Sequence, residues 1–479
     1  MKDDALLTRE KMTAFLWKPR LSLFCLLVLL FCFSKALFSQ DNLATKRKPN
    51  MIIIMADDLD SRQLSCYGGQ NMTTKHIDRL AREGLRFTNL IASEAMCVPT
   101  RGSLFTGLYP VKHGAYQNHK PVYPQVKSIV HYLNDVGYRV GLTGKDHMTI
   151  PKFVFPFEII PGFEKNCVST TDVYFLDSIA QFVQQDDSPY CLFVMSINPH
   201  APWTVGDTSA FDRAKLALPN HWVDTEITRR QFVRYLAEVR QLDNQVGQVL
   251  KMLEDNQQLD HTVVIFLGEQ GPQFPGGKWT LYDNGQRSSM LIRWPSVVKG
   301  GVTTSALVQF EDIAPTLVEI AGGYPISGLD GQSFMSLLDG EHAAFRKYAY
   351  GIHNNIPEGP AYPIRSIRSE RFKLILNLRA DALYHIKYMT DIRNKKQAYT
   401  SWVEKGESDA YAHFLANRIV KRPPLEFYDL QRDPNELFNL AADPHYQTTI
   451  EGMRNELFRW MEEQGDSGIA LDVPFEKAL

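Results

Sequence analysis

Met51-Ile52-Ile53-Ile54-Met55-Ala56-Asp57-Asp58 is a short apolar run that ends in two adjacent carboxylates. A run of this kind, rich in β-branched residues and without polar alternation, predicts a strand buried on both faces of a parallel sheet. Ligands of open α/β sheets gather beyond the carboxyl ends of the strands, so Asp57 and Asp58 mark a candidate site. The design recurs along the chain. Tyr138 to Gly144, Tyr190 to Ile197 and Thr262 to Leu267 read as strands, and polar residues follow each of them: Lys145-Asp146-His147, Pro199-His200 and Glu269-Gln270. Between the strands lie helical patterns. Lys75 to Gly84 places Ile77, Leu80 and Ala81 on one face with Gly84 as a stop, and Ser128 to Gly137 repeats that design. Val173 to Val183, the long periodic run Arg230 to Leu253, and Ile313 to Ala321 read as further helices, and Met290 to Trp294 as a strand. Alternating β and α units predict an α/β fold, a large and mostly parallel sheet sandwiched by helices.

Beyond Ala344 the pattern changes. Ser366 to Leu378 predicts a hairpin turned at Ser369-Glu370, and Thr448 to Glu463 a closing helix, so the chain ends in a smaller C-terminal α+β domain. The expected divisions are an export segment at 1–39, a catalytic domain at 46–344 and a C-terminal subdomain at 345–479. The export segment is read from Lys18-Pro19-Arg20 followed by an apolar run from Leu21 to Phe33, which suits a secretory signal and is short for a membrane span. An uncleaved anchor is the alternative, and either one places the rest of the chain in an exported compartment. Of six cysteines in 479 residues, Cys66, Cys97, Cys167 and Cys191 follow this segment. With 44% hydrophobic residues the chain can build a large core, and its formal charge of −2 shows no basic bias toward nucleic acid. The sequence leaves the oligomeric state open.

The chemistry-bearing fragments converge. Three carboxylates and an amide oxygen, from Asp57, Asp58, Glu269 and Gln270, suit a hard divalent cation, and Ca²⁺ accepts such oxygen-only sets. In Met96-Cys97-Val98-Pro99-Thr100-Arg101, Pro99 fits the first turn of a helix, which would put Cys97 and Arg101 on one face at an anion-favouring N-terminus. Taken alone, the fragment can also be read as a buried cysteine before a helix. His147, His200 and Lys278, which follows Pro275-Gly276-Gly277, add proton-transfer and cationic groups.

In order and spacing (Asp-Asp, C-x-P-x-R, K-x-H, His, acid-amide, Lys) these fragments resemble the sulfatases. Phe274 to Lys278 with Leu281-Tyr282, Pro156-Phe157-Glu158, and Tyr362 to Arg368 leading to Phe372-Lys373-Leu374 are similar to its heparan N-sulfatase (sulfamidase) branch. Glu426 to Leu430, Asp433 to Glu436 and Asn439-Leu440-Ala441 resemble the C-terminal signature of sulfatases generally. The resemblance implies a formylglycine-dependent sulfatase acting on a sulfated sugar of the glycosaminoglycan type, N-sulfoglucosamine favoured. It implies that a formylglycine-generating enzyme converts Cys97 to an aldehyde and that one Ca²⁺ is held by Asp57, Asp58, position 97, Glu269 and Gln270. Arg101 and Lys145 would hold the modified side chain, with His147 as base, His200 as acid and Lys278 as a clamp on sulfate. The sequence departs from the family where Glu269 replaces the usual Asp, Gln270 an Asn or His, Thr100 the commoner Ser, and Asn198 a His. The alternatives are a phosphoester or phosphonate hydrolase with the same layout, or a catalytically silent relative that binds sulfated sugar. His353-Asn354-Asn355 is read either as a plain loop or as a reach into the pocket.

Overall fold

The computed structural model describes residues 48–475 except 149 and 339–344; the export segment expected at 1–39 lies outside the described residues. The described residues form twelve strands: β1 (Asn50–Met55), β2 (Leu85–Ile91), β3 (Arg139–Gly144), β4 (Glu158–Ile159), β5 (Tyr190–Met195), β6 (Thr262–Leu267), β7 (Arg287–Arg293), β8 (Val302–Gln309), β9 (Ala349–His353), β10 (Ile364–Arg368), β11 (Phe372–Asn377) and β12 (Leu425–Asp429). The first eight form one sheet in the order β4-β3-β5-β1-β6-β7-β2-β8, and the last four a second sheet in the order β12-β11-β10-β9. The longer helices are α1 (Lys75–Glu83), α2 (Cys97–Thr106), α3 (Ile129–Asp135), α4 (Asp177–Gln184), α5 (Glu226–Asp255), α6 (Ile313–Ile320), α7 (Ala398–Gly406), α8 (Ala410–Val420) and α9 (Gln447–Gln464).

β1 lies at the centre, parallel to β5 on one side and β6 on the other. Its side chains alternate between two cores. Ile52 and Ile54 join a cluster with Leu236, Val239 and Val246 of α5, while Met51, Ile53 and Met55 pack with Ile129 and Val130 of α3 and Ile313 and Leu317 of α6. Two buried faces explain why the strand reads as an unbroken apolar run. The sheet is mixed, because β7 runs antiparallel to both β6 and β2. Strands β2 and β8 escape the hydrophobic pattern: β2 carries Arg86, Thr88 and Asn89, and β8 alternates exposed and buried positions at the sheet edge.

The smaller sheet is antiparallel throughout. Ile352, Ile367, Leu374 and Phe427 pack on Met453, Leu457 and Trp460 of α9, and the Trp460 ring stacks on Tyr350 at 4.8 Å. Both sheets belong to the unit that runs from Pro49 onward. The division expected at 344/345 falls between α6 and β9.

One local expectation needs correction. The helix read over Val173 to Val183 begins only at Asp177. Val173 and Phe175 are exposed, and the Phe175 N–H bonds to Gly162 O instead of opening a helix. Asp177 supplies the acidic first residue that favours a start there. The expected helix around Pro99 is α2: it begins at Cys97, with Pro99 in its first turn.

Arg365 on β10 is fully buried and holds Asp466, beyond α9, through both carboxylate oxygens. Removing one partner leaves the other charge buried and unpaired, so Arg365→Ala is expected to cost about 3–5 kcal/mol in urea unfolding. A loss below about 1 kcal/mol would contradict this account. Glu311 is a second buried acid, bonded to the Ser93 hydroxyl at 2.5 Å. Burial pushes its carboxyl from 4.5 up to about 7. The unfolded chain ionises first, so this stabilising contribution is complete below 4.5 and is lost as pH rises through about 7. Glu311→Gln should therefore gain on the parent protein by about 1–3 kcal/mol between roughly pH 5 and 8, which urea titrations at stepped pH would read.

Candidate active site

Four neighbouring parallel strands, β3, β5, β1 and β6, end at one edge, and each delivers a polar residue there. Asp57 and Asp58 follow β1; the Asp57 N–H is held by Asn198 O at 2.9 Å. Asp58 adopts φ 59°, a left-handed conformation that Asp tolerates better than most residues, and this turn sets the two carboxylates side by side. Lys145 follows Gly144, whose φ is +87° and where an added Cβ would lie 2.0 Å from Met195 O. Only glycine fits, and the Lys145 N–H then bonds to that carbonyl at 2.9 Å. His200 follows β5, and Glu269 and Gln270 follow β6. Cys97 enters from the first residue of α2, beside the sheet edge.

The side chains form a nearly closed ionic cluster. Lys145 Nζ donates to Asp57 Oδ2 at 2.6 Å, Lys278 Nζ to Asp58 Oδ2 at 2.7 Å, and Arg101 Nε to Glu269 Oε1 at 2.7 Å. Arg101, Lys145 and the three carboxylates are at most 1% exposed, and Lys278 is 3% exposed. Each cation thus has a carboxylate, as burial of charge requires. Burial alone would raise the pKa of Asp57, but Lys145 holds it well below the usual range, while burial raises Glu269 against the pull of Arg101. Burial works against the charge on Lys145 and Lys278 too, yet Asp57 and Asp58 keep both firmly protonated.

Cys97 Sγ sits 3.6 Å from Asp57 Oδ1, 3.9 Å from Asp58 Oδ1 and 3.3 Å from Gln270 Nε2. Burial and Glu269 push the thiol well above 9, so it is protonated and a poor nucleophile. His200 presents Nε2 to Lys278 Nζ at 3.2 Å and to Asp58 Oδ2 at 3.6 Å, with Nδ1 against Ala201 O. Burial and Lys278 keep it neutral at physiological pH. His147 behaves differently: its Nε2 lies 3.6 Å from Cys167 Sγ, its ring meets His119, and Nδ1 has no hydrogen-bond partner. Burial, Lys145 and Arg101 depress its pKa.

The donor set can be matched to a hard divalent cation. Ligand atoms of Asp57, Asp58, Cys97 and His200 lie within 4.8 Å of one another. Gln270 turns its Nε2 toward Asp58, Glu269 and Cys97 and leaves Oε1 buried without a partner. A half-turn of that amide would offer its oxygen to the cluster. The thiol is the one soft donor in an otherwise oxygen-rich set, and an oxygen at position 97 would make it uniform. The residues therefore fit Ca²⁺ best if Cys97 has been converted.

Sequence reasoning had not placed Cys167 and His119 beside His147, nor Asp172 behind the site. Asp172 Oδ2 accepts from Asn198 Nδ2 and Gln245 Nε2, both at 2.7 Å; thus Asn198, where the family carries a His, braces the loop that bears His200. No motif links these residues along the chain. His353, Asn354 and Asn355 are fully buried, with His353 against Glu94 and Tyr384, and they serve as packing between the two sheets. The four described cysteines, Cys66, Cys97, Cys167 and Cys191, are free thiols, and no described helix is long and apolar enough to cross a membrane.

A family model described as Sulfatase matches residues 49–324, and one described as N-sulphoglucosamine sulphohydrolase, C-terminal, matches 276–423. An ulvan-active sulfatase of Formosa agariphila is 33% identical over 435 residues, covering 88% of this chain and 82% of that one. The human N-sulphoglucosamine sulphohydrolase is 28% identical over 485 residues, covering 91% and 95%. A solved structure in complex with its substrate D-glucosamine-2-N,6-O-disulfate superposes with a TM-score of 0.67 at 19% identity, covering 88% and 99%.

If the cluster holds a cation, Ca²⁺ added to chelator-stripped protein should raise its melting temperature, by the equivalent of about 2.7 kcal/mol at a hundredfold excess over Kd. Asp58→Asn should abolish most of that shift. An unchanged melting temperature in the parent protein would count against the site.

Proposed function

This chain belongs to the sulfatase family, and on that premise we propose that it hydrolyses sulfate from sulfated sugars, N-sulfoglucosamine foremost, using Cys97 as formylglycine with one bound Ca²⁺. The convergence of position 97 with Asp57, Asp58 and three paired cations in one buried cluster carries the reading. A protonated thiol there has no use as a nucleophile, and sulfuryl transfer to sulfur would leave an S-sulfonate with no built-in release. Converted and hydrated, position 97 supplies two hydroxyls on one carbon, one to attack sulfur and one whose deprotonation expels sulfate. Ca²⁺ held by Asp57, Asp58, Glu269, Gln270 and position 97 would lower the pKa of the attacking hydroxyl.

The remaining residues position charge and move protons. Lys145 and Lys278, paired with Asp57 and Asp58 beside position 97, would meet the sulfate oxygens, where fixed cations stabilise charge that builds in the transition state. Arg101, bonded to Glu269 and to Lys145 O, fixes α2 against β3 and β6. His200 faces the cluster through Nε2; neutral without substrate, it would protonate the leaving amine or alcohol once the negative charge of a bound sulfate group raises its pKa and puts a proton on Nε2. His147, whose Nδ1 has no hydrogen-bond partner and whose Nε2 meets Cys167, would by the family resemblance take the proton that frees sulfate. Export of the chain is part of the same reading, since the extracellular sugars it suits lie outside the cytoplasm.

Peptide mass spectrometry across Cys97 should find a loss of about 18 Da, the difference between –CH₂SH and –CHO, in protein from a host that makes formylglycine. Cys97→Ala should lower kcat by at least about 10³-fold. In paired assays, free sulfate should appear from glucosamine N-sulfate faster than from its 6-O-sulfate, with phosphate and phosphonate esters slower still. Dominant phosphoester turnover would reverse the assignment to the related hydrolase chemistry. Binding of sulfated sugar without any release would assign the chain as a silent relative.

A further inference from the structure

A cleft of about 370 Å³ opens beside the ionic cluster, and the chain runs directly from one to the other. Ala201, Pro202, Trp203 and Thr204, which follow His200, form one side of it, and Pro275, three residues before Lys278, lies at its base. One wall is α5, presenting Gln231 and Arg234 one turn apart. The facing wall is the segment from Lys387 to Tyr399. Gln231 Nε2 donates to Lys396 O at 2.8 Å, and Trp402 Nε1 donates to Thr228 Oγ1 at 2.9 Å, so the walls are tied at fixed separation.

The lining has a consistent chemistry. It contains Arg234, Lys387 and Lys396 and no carboxylate, in a chain whose 52 basic and 54 acidic residues nearly balance. Lys387 is partly neutralised by Glu358 at 3.4 Å, whereas Arg234 and Lys396 are exposed and have no ion-pair partner among the described residues. Two rings offer flat surfaces: Trp203 is backed by Phe274 at 4.9 Å, and Tyr388, half exposed, is backed by Trp279, the residue after Lys278. Gln273, Asn394 and Gln397 supply amides, and Gln397 Oε1 is buried without a partner. Uncompensated cations bind anions, amides bind hydroxyls, and aromatic faces accept the C–H faces of sugars.

We propose that this cleft is a subsite for an anionic sugar residue adjoining the one whose sulfate is removed, so that the enzyme reads at least two residues of an acidic oligosaccharide. The proposal rests on the sulfatase reading above. It assigns Arg234 and Lys396 to the sulfate or carboxylate of the neighbouring residue, and Trp203 and Tyr388 to its ring.

The test compares kcat/KM for a sulfated tetrasaccharide with that for the corresponding monosaccharide sulfate. The ratio should fall about tenfold in Arg234→Glu/Lys396→Glu, the scale expected when two exposed attractions become repulsions, and it should stay at the parent value in Lys251→Ala, a cation paired with Asp255 outside the cleft. A tetrasaccharide bearing only carboxylates beside the target residue would separate the two anion sources: an equal ratio assigns the cleft to carboxylate, and a lower one to sulfate. A ratio unchanged in the double variant, with sulfate release intact, overturns the subsite and leaves the sulfatase reading standing. Absence of sulfate release from either substrate by the parent protein overturns the sulfatase reading instead. Calorimetric binding of the tetrasaccharide would then decide the cleft, with equal affinity in parent and double variant refuting it.

Discussion

Three carboxylates and three cations are buried together at one edge of the large sheet, and the architecture around them answers to that constraint. A charge taken out of water is tolerated only when a partner is held at hydrogen-bond distance. Lys145 on Asp57, Lys278 on Asp58 and Arg101 on Glu269 meet that demand. The partners come from β1, β3, β6, α2 and the loop after Gly277, so the cluster forms only when all of these are docked. It costs the fold desolvation energy and provides a set of charges whose positions do not relax when an anionic group enters.

The sheet is built to hold that edge still. β1 is sealed on both faces by separate hydrophobic clusters, and its parallel pairing with β5 and β6 lines up three chain ends. Gly144 at the end of β3 and the left-handed turn at Asp58 then bring side chains within reach of one another where an ordinary residue or conformation would not. The smaller sheet contributes through packing: His353 and Arg365 are buried where β9 and β10 meet the large layer and the segment after α9. The Lys387–Tyr399 segment walls the adjacent cleft.

Position 97 joins these features to chemistry. As a thiol it is buried, protonated and pressed against two carboxylates, an environment hostile to a thiolate and well suited to an oxygen ligand. The unpartnered Oε1 of Gln270 points to the same conclusion, because a buried amide oxygen without a donor is costly unless a cation or another group meets it. His147, held near Cys167 and His119, stands slightly apart, whereas His200 is fixed against Lys278 by contacts on both ring nitrogens.

The central strands, the long helix α5 and the closing helix were legible in the sequence, because a face that must be buried leaves its period in the residues. The motif residues Asp57, Asp58, Cys97, Arg101, Lys145, Glu269, Gln270 and Lys278 were legible too, since each sits at a strand end or in a short fixed spacing. Strand β2 was hidden by its polar side chains, and the helix at Val173 was over-read because its exposed apolar residues mimic an amphipathic face. By itself the sequence determined which residues could carry charge, ligate a metal or attack, and that parallel strands would bring them to one edge. Only the tertiary structure decided which carboxylate each cation neutralises, that His147 meets Cys167, and that Arg234 and Lys396 face one cleft from opposite walls. Those pairings join residues up to 220 positions apart, and contacts across such separations are set by the packing of whole elements, which leaves no local period to read.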